Sequence, residues 1–320
     1  MIRSTDVAFR SGLLTLRGSL VLPDASSAPA ALLVSGSGPL DRDSNSKRLA
    51  IDVMARIAER LAADGVASLR YDKRGVGESD GDFLSAGFHD NVTDARAGLD
   101  ALRARPEVDA DRVVIIGHSE GAVIASMLAD DGRLAGVGLL AGPACNGRHL
   151  LQWQAQGLAA TPPGPIRWPM KLLRQDLEAS QAKRLRRIDR STDDVIRIRG
   201  VRVNAKWFRE FMAFEPAEAL RRAAVPVLAI TGSKDVQVDP DDVERMARVV
   251  PTAFTGHVVD DVTHLLRTES GPASFRTYKQ QARQPLDQRV CDLVTDWISE
   301  QTAESFTTSS RVGGMVAGEP

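Results

Sequence analysis

Mostly apolar runs alternate along the chain with amphipathic stretches of helical spacing. Residues 47–63 and 91–104 repeat apolar positions every three or four residues, which is typical of helices packed on a core. Between such stretches lie short runs of strand length, at 31–34, 66–71, 113–117 and 134–141. Runs without polar alternation are buried on both faces, so the pattern predicts a mostly parallel sheet with helices on both faces.

The two ends of the chain depart from this alternation. Residues 6–9 and 13–22 flank Ser11-Gly12 and predict an antiparallel hairpin. The last stretch, 305–320, is polar and glycine-rich, and we expect a flexible tail.

The middle of the chain interrupts the pattern as well. From residue 146 to about 224 no convincing strand is present, and helical stretches alternate with proline-rich breaks. The strand and helix rhythm resumes at Val225. We therefore predict an α/β core formed by 1–144 and 225–304, with 145–224 inserted as a helical cap or lid.

The bulk composition excludes several classes of protein. The 320 residues include 41 basic and 42 acidic side chains, and this balance does not favour a nucleic-acid partner. Two cysteines in no metal-like spacing indicate neither a disulfide framework nor a metal site. No apolar segment of membrane-spanning length or secretory signal is recognisable, so we expect a cytoplasmic protein.

Residues 113–124, "VVIIGHSEGAVI", place a serine between two glycines where a strand meets a helix. On so sharp a turn, side chains two positions from Ser119 would collide, which explains Gly117 and Gly121. The turn would expose the Ser119 hydroxyl at the carboxyl end of the sheet. The N–H of Glu120 would then face a developing oxyanion at the helix N-terminus. The alternative is a tight turn without chemistry.

A serine hydroxyl needs a general base, and the base needs a carboxylate to orient it. Of the five histidines, His264 follows the last strand, in "DDVTHLL", at the edge where Ser119 would emerge. The others are a residue inside the turn, one at a helix start, one at the start of the insertion and one inside a strand (His118, His89, His149 and His257).

The candidate acid is Asp235, a few residues past the strand 226–230. Asp239 precedes a proline and has a structural explanation as a helix N-cap. Asp260 and Asp261 are rival acids close in sequence to His264. A second oxyanion donor is expected in the loop "SGSGPLDRD", from the N–H of Ser37, although the loop could be only a turn.

Three segments carry a resemblance to a known family: "YDKRGVGES" after a strand, "GHSEG", and "GSKD" with a later histidine. Over nearly its whole length the chain resembles the α/β-hydrolase superfamily. It is most similar to a bacterial serine esterase-like subgroup with a GSGPxDRD oxyanion loop. The resemblance implies Ser119 as nucleophile, Asp235 as acid and His264 as base. Charged residues of "LDRD" and "YDKRGVGES" are expected to brace loops and not to act in catalysis (Asp41, Arg42, Asp43, Asp72 and Arg74, with Ser79).

The function implied is a serine carboxylesterase that acts on small or medium acyl esters without a metal or an organic cofactor. Acyl-CoA thioesterase and acylaminoacyl or dipeptidyl peptidase activities are alternatives with the same three side chains. A non-enzymatic hydrolase scaffold is a further one. Oligomeric state, monomer or homodimer, is open. Aromatic side chains of the insertion could line an acyl pocket or fill the insertion's own core (Trp153, Trp168, Trp207 and Phe211).

Overall fold

An eight-stranded sheet forms the centre of the protein in a computed structural model. The structure describes residues 2–25, 27–160 and 170–309. Within these ranges it describes the backbone alone for residues 156–160, 170–179 and 304–309. The strands of the sheet are β1 Arg3–Ser11, β2 Leu14–Leu22, β3 Ala28–Val34, β4 Ala67–Tyr71, β5 Val108–His118, β6 Gly136–Leu140, β9 Val227–Gly232 and β10 Phe254–Val259. The strand order is β1-β2-β4-β3-β5-β6-β9-β10, and β2 runs antiparallel to both of its neighbours while the other pairs are parallel.

Helices cover both faces of this sheet. The α-helices of the described chain are α1 Val53–Ala63, α2 Phe88–Arg103, α3 Glu120–Met127, α4 Gly147–Ala160, α5 Met170–Asp189, α6 Ala205–Ala213, α7 Pro216–Leu220, α8 Asp242–Ala247, α9 Tyr278–Gln281 and α10 Gln288–Ser309. Leu32 and Val34 of β3 pack into one apolar core, and the intervening Leu33 packs into the other. The first core receives side chains of α2, α3 and α8, and the second those of α1 and α10. The predicted parallel sheet with helices on both faces is confirmed.

The predicted N-terminal hairpin is also present. Strands β1 and β2 pair in register from Arg3 opposite Leu22 to Ser11 opposite Leu14. Gly12 at the turn has φ 57°, a left-handed conformation that glycine adopts without cost.

The first helix begins later than the apolar spacing predicts, at Val53 instead of residue 47. The side-chain oxygen of Asn45 accepts hydrogen bonds from the N–H groups of Ile51 and Asp52, at 2.8 and 2.9 Å. Asp52 adopts φ 49°, which cannot continue a helix. The residues before Val53 therefore form a loop closed by Asn45.

The segment between β6 and β9 contains a strand pair that the sequence reading missed. Strands β7 (Val195–Ile198) and β8 (Val201–Asn204) form an antiparallel hairpin. Arg199 and Gly200 both have positive φ, as a two-residue hairpin turn of type I′ requires. The expectation of a purely helical insertion is thus wrong for this hairpin, whose side chains join those of α5 and α6 in a small third core.

Contacts from α6 attach this segment to the rest of the protein. The amide of Asn204, the N-cap of α6, donates to the carbonyl oxygens of Phe83 and Ala86 at 2.9 and 2.7 Å. Lys206 forms an ion pair with Asp90 of α2 at 2.8 Å.

Two expectations, on the C-terminal tail and on the aromatic residues of the insertion, concern residues that the structure describes only in part. Helix α10 continues past residue 304 to Ser309, and residues 310–320 of the expected tail lie outside the described residues, as does Trp168. Within the described chain, no helix combines the length and the apolar character needed to cross a bilayer.

Candidate active site

Ser119 occupies a strained turn between β5 and α3, with φ 56° and ψ −115°. A Cβ on Gly117 would collide with the backbone of Gly121, and one on Gly121 would collide with the carbonyl of Val34. The close approach of strand and helix is therefore possible only with glycine at both positions. The turn that the sequence predicted around Ser119 is present.

His264 and Asp235 meet at the carboxyl edge of the sheet. The Nδ1 atom of His264 lies 2.8 Å from Oδ2 of Asp235, and both side chains are buried. The other carboxylate oxygen, Oδ1, accepts from the backbone N–H groups of Gln237 and Val238 at 2.7 and 3.0 Å. With both oxygens engaged, the carboxylate is held in one orientation and holds Nδ1 as the protonated nitrogen.

A single cavity of about 170 Å³ is lined by both Ser119 and His264. Gly36, Ser37, Gln237 and Tyr278 also line this cavity. Among the described residues, the Ser119 hydroxyl has no hydrogen bond to the His264 ring. The structure thus joins His264 to Asp235 directly, and brings Ser119 to the same cavity.

Two backbone N–H groups were predicted as oxyanion donors, those of Ser37 and Glu120. Ser37 lines the cavity, and Gly36 before it lies directly over the turn, where an added Cβ would be 3.3 Å from Cβ of Ser119. Glu120 is the first residue of α3 and follows Ser119 in the chain. Within the described part of the chain, no hydrogen-bond acceptor is found for either N–H.

The rival acids are placed elsewhere. Asp260 and Asp261 are both exposed, and Asp261 pairs with Lys234 at 2.7 Å. Asp239 is not the helix N-cap that the sequence suggested, because α8 begins at Asp242. Its carboxylate accepts from the N–H of Asp241 at 3.1 Å and closes a turn before the helix.

His118 contacts His264 in a way that sequence reasoning did not anticipate. Its Nε2 lies 2.8 Å from the backbone oxygen of His264, and the two rings are 5.0 Å apart. Burial, with a smaller contribution from His264, lowers the pKa of His118 to about 3. The ring is therefore neutral at pH 7, and Nε2 carries the proton donated to the carbonyl. The other three histidines are not buried: His89 and His149 are exposed, and His257 on β10 is only partly buried.

The loops around the site are braced by ion pairs, as the sequence predicted. Arg42 donates to both carboxylate oxygens of Asp72, at 3.2 and 2.7 Å, and Arg74 does the same to Asp94, at 2.6 and 2.8 Å. Gly75 and Gly77 both have positive φ. The sequence reading missed a further ion pair, between Lys73 and Glu120, in which both side chains are buried. A carboxylate in the first turn of a buried helix was the signal for it, since such a group needs a cation.

The aromatic residues of the inserted segment mainly pack with one another. The ring of Trp207 stacks on Phe211 at 4.7 Å, and Phe211 meets Phe88 of α2 edge-on at 5.6 Å. Trp153 is partly exposed on α4. None of these side chains is among the residues described as lining the Ser119 cavity.

Comparison with known proteins identifies the family of the chain. The family model described as serine aminopeptidase, S33, matches residues 50–271, more than half of the chain. The chain is a member of the serine aminopeptidase S33 family. This S33-family chain has an α/β-hydrolase fold, as the sequence resemblance implied.

Among relatives of the S33-family chain is Esterase EstD of Thermotoga maritima, which is 26% identical over 291 residues, 88% of this chain. The match spans 65% of the length of EstD. Est1E from Butyrivibrio proteoclasticus, solved with ferulic acid, superposes with a TM-score of 0.62 at 16% identity, covering 93% of this chain and 99% of Est1E. Proline iminopeptidase of Mycobacterium smegmatis superposes with a TM-score of 0.63 at 15% identity, covering 94% and 100%. At these identities the two structures establish the shared fold.

Proposed function

We propose that the protein is a serine hydrolase that cleaves carboxylic esters of small or medium acyl groups. The observation that carries the proposal is the buried His264–Asp235 pair, 2.8 Å between Nδ1 and Oδ2, at a cavity that Ser119 also lines. The similarity to EstD supports ester hydrolysis, and the "GSGPLDRD" loop with the "GHSEG" turn supports an esterase-like subgroup.

In the proposed mechanism, Ser119 attacks the ester carbonyl while Nε2 of His264 accepts its proton. Asp235 stabilises the imidazolium through Nδ1 and keeps the ring in the productive tautomer. The N–H groups of Ser37 and Glu120 bind the negative oxygen of the tetrahedral intermediate. His264 returns the proton to the leaving alcohol, and water then cleaves the acyl-enzyme by the same steps.

The composition of the cavity favours an ester over an aminopeptidase substrate. An aminopeptidase must bind the α-ammonium group of its substrate, which calls for a carboxylate. Among the described residues that line the cavity, none is acidic, and the polar ones are serine, histidine, glutamine and tyrosine. Its volume, about 170 Å³, is below the range of roughly 300–1,000 Å³ found for drug-sized ligands, which favours short acyl chains.

The acyl-CoA alternative rests on the basic side chains of the inserted segment. Lys183, Arg184 and Arg187 line a separate cavity beside β8, and none of them is described at the Ser119 cavity. Arg184 also lies over the ring of Phe208, 5.3 Å from its centre. A solvated helix face that packs on its own segment accounts for these charges.

The decisive experiment compares the parent with Ser119→Ala on p-nitrophenyl acetate, butyrate and decanoate, together with fluorophosphonate labelling. We expect turnover to fall by roughly 10⁶-fold and labelling to disappear, because the nucleophile is lost. Ser126→Ala, which removes a buried hydroxyl in α3, the helix that follows Ser119, is the matched control and should keep both. Hydrolysis or labelling that persists in Ser119→Ala would refute the assignment. Acyl-CoA and aminoacyl amide substrates in the same panel test the alternatives.

A further inference from the structure

A buried lysine contacts both segments that carry the proposed oxyanion donors. Lys73, in the loop after β4, is 4% exposed, and its Nζ donates to the carbonyl oxygen of Gly36 at 2.6 Å. The same nitrogen lies 3.1 Å from Oε2 of Glu120, which is 2% exposed. A buried ammonium group is costly unless it is paired and hydrogen-bonded, and here both partners belong to the segments that carry the two proposed donors.

The hydrogen bond to Gly36 determines the direction of the Ser37 N–H. The carbonyl of residue 36 and the N–H of residue 37 belong to one trans peptide, so they point in opposite directions. With the carbonyl held by Lys73, the N–H must face away from the ammonium group. Donation to the carbonyl also polarises the peptide and strengthens its N–H as a donor.

The second donor is held through the side chain of its own residue. Oε1 of Glu120 accepts from Nδ2 of Asn91 at 2.9 Å and from Nε1 of Trp207 at 2.7 Å, while Oε2 faces Lys73. These three groups that donate to the Glu120 carboxylate come from α2, from α6 of the inserted segment and from the loop after β4. Because Glu120 follows Ser119 directly, anchoring its carboxylate restrains the turn that carries its N–H.

We propose that Lys73 is a positioning residue that aligns both oxyanion donors, one through the Gly36 carbonyl and one through the Glu120 carboxylate. The proposal rests on the function proposed above and adds a side chain that does not touch the substrate. It accounts for a buried cation that the triad mechanism leaves without a role.

The test uses Lys73→Met and a matched pair of substrates, phenyl acetate and its thionoester. Sulfur is a weak acceptor of N–H hydrogen bonds, so a thionoester gains little from an aligned oxyanion site. In Lys73→Met we expect kcat for the ester to fall roughly 10²-fold or more, the scale of losing one oxyanion donor, with KM nearly unchanged. The thionoester should lose much less, so the ester to thionoester ratio of kcat/KM should contract at least about tenfold.

Arg74→Met is the matched control, because Arg74 is the next residue of the same loop and the variant breaks its ion pairs with Asp90 and Asp94 of α2. It should lower the thermal midpoint and leave the substrate ratio at the parent value. If Lys73→Met fails to fold with Glu120 left unpaired, Lys73→Met combined with Glu120→Gln removes both charges and is assayed in the same way. An unchanged ratio in the Lys73 variants, or an equal contraction in Arg74→Met, overturns the positioning role.

Failure of the two proposals is distinguishable. A parent enzyme that labels at Ser119 and hydrolyses esters, with no change of ratio in the Lys73 variants, removes only the role of Lys73. A parent without Ser119-dependent turnover removes both.

Discussion

The carboxylate of Asp235 makes a sharp prediction for Asp235→Asn. Oδ1 receives two backbone N–H groups, from Gln237 and Val238, and an amide can satisfy them only with its oxygen. The NH₂ group of the introduced amide must therefore face Nδ1 of His264. Two donors cannot share that contact, so the imidazole must take the tautomer with its proton on Nε2.

A proton on Nε2 removes the lone pair that would accept the proton of Ser119. The expected loss in kcat is roughly 10⁴-fold, which corresponds to about 5.5 kcal/mol of transition-state stabilisation. Stability should suffer less, because the backbone N–H groups keep their acceptor and a neutral hydrogen bond from the amide to Nδ1 replaces the charged one. The charged hydrogen bond is worth about 1.5–3 kcal/mol, which is the upper limit of the loss.

The assay is kcat/KM for p-nitrophenyl butyrate alongside urea unfolding. Asp261→Asn is the control, since that exposed rival carboxylate pairs with Lys234, and it should stay within about twofold of the parent. Activity of Asp235→Asn within about tenfold of the parent, or a larger loss in Asp261→Asn, would refute the assignment of the acid.

Three further predictions concern stability. Burial lowers the pKa of His118 in the folded protein to about 3, below the value of 6.5 in the unfolded chain. Its contribution to the free energy of unfolding is therefore fully present above pH 6.5 and is lost as the pH falls towards 3. In urea unfolding, the difference in unfolding free energy between the parent and His118→Gln should narrow below pH 6.5 by up to about 1.4 kcal/mol per pH unit. If the two unfolding free energies change with pH in parallel, the ring of His118 is not buried in its neutral form. Gly117→Ala should destabilise by about 3 kcal/mol, because its Cβ meets backbone that cannot rotate away. Calorimetry should find Gly132→Ala, which meets nothing within 4 Å, near neutral. Arg267 donates to the carbonyls of Gln284, Leu265 and Ile51 at 3.0, 2.7 and 2.5 Å, so Arg267→Met should cost about 3 kcal/mol or more, and a smaller loss in urea unfolding would show that these acceptors find other donors.

The fold was accessible from the sequence where local signals agree. Apolar runs without alternation marked the parallel strands, and Ser11-Gly12 marked the hairpin. The start of α1 was wrong because apolar spacing continues through residues that Asn45 holds as a loop. Strands β7 and β8 were missed because each has only four residues, although "VIRIRGVRVN" alternates around a glycine.

The candidate site also has a part that could be predicted from the sequence and a part that could not. The positions of Ser119, Asp235 and His264 after strands could be read from the chain, because parallel strands end at one edge of a sheet. The contacts of Lys73, Asn91 and Trp207 with Glu120 could not, since they join elements far apart in sequence.

By itself, the sequence determined the order of strands and helices in the α/β core and the glycine-flanked turn, because backbone conformation and burial period are local properties. Only the tertiary structure decided which carboxylate faces His264, that His118 contacts the backbone oxygen of that histidine, and that the buried ammonium group of Lys73 contacts both the Gly36 carbonyl and the Glu120 carboxylate. The physical reason is that charges and hydrogen bonds act over a few ångströms in space, and distance along the chain does not limit which groups packing brings that close.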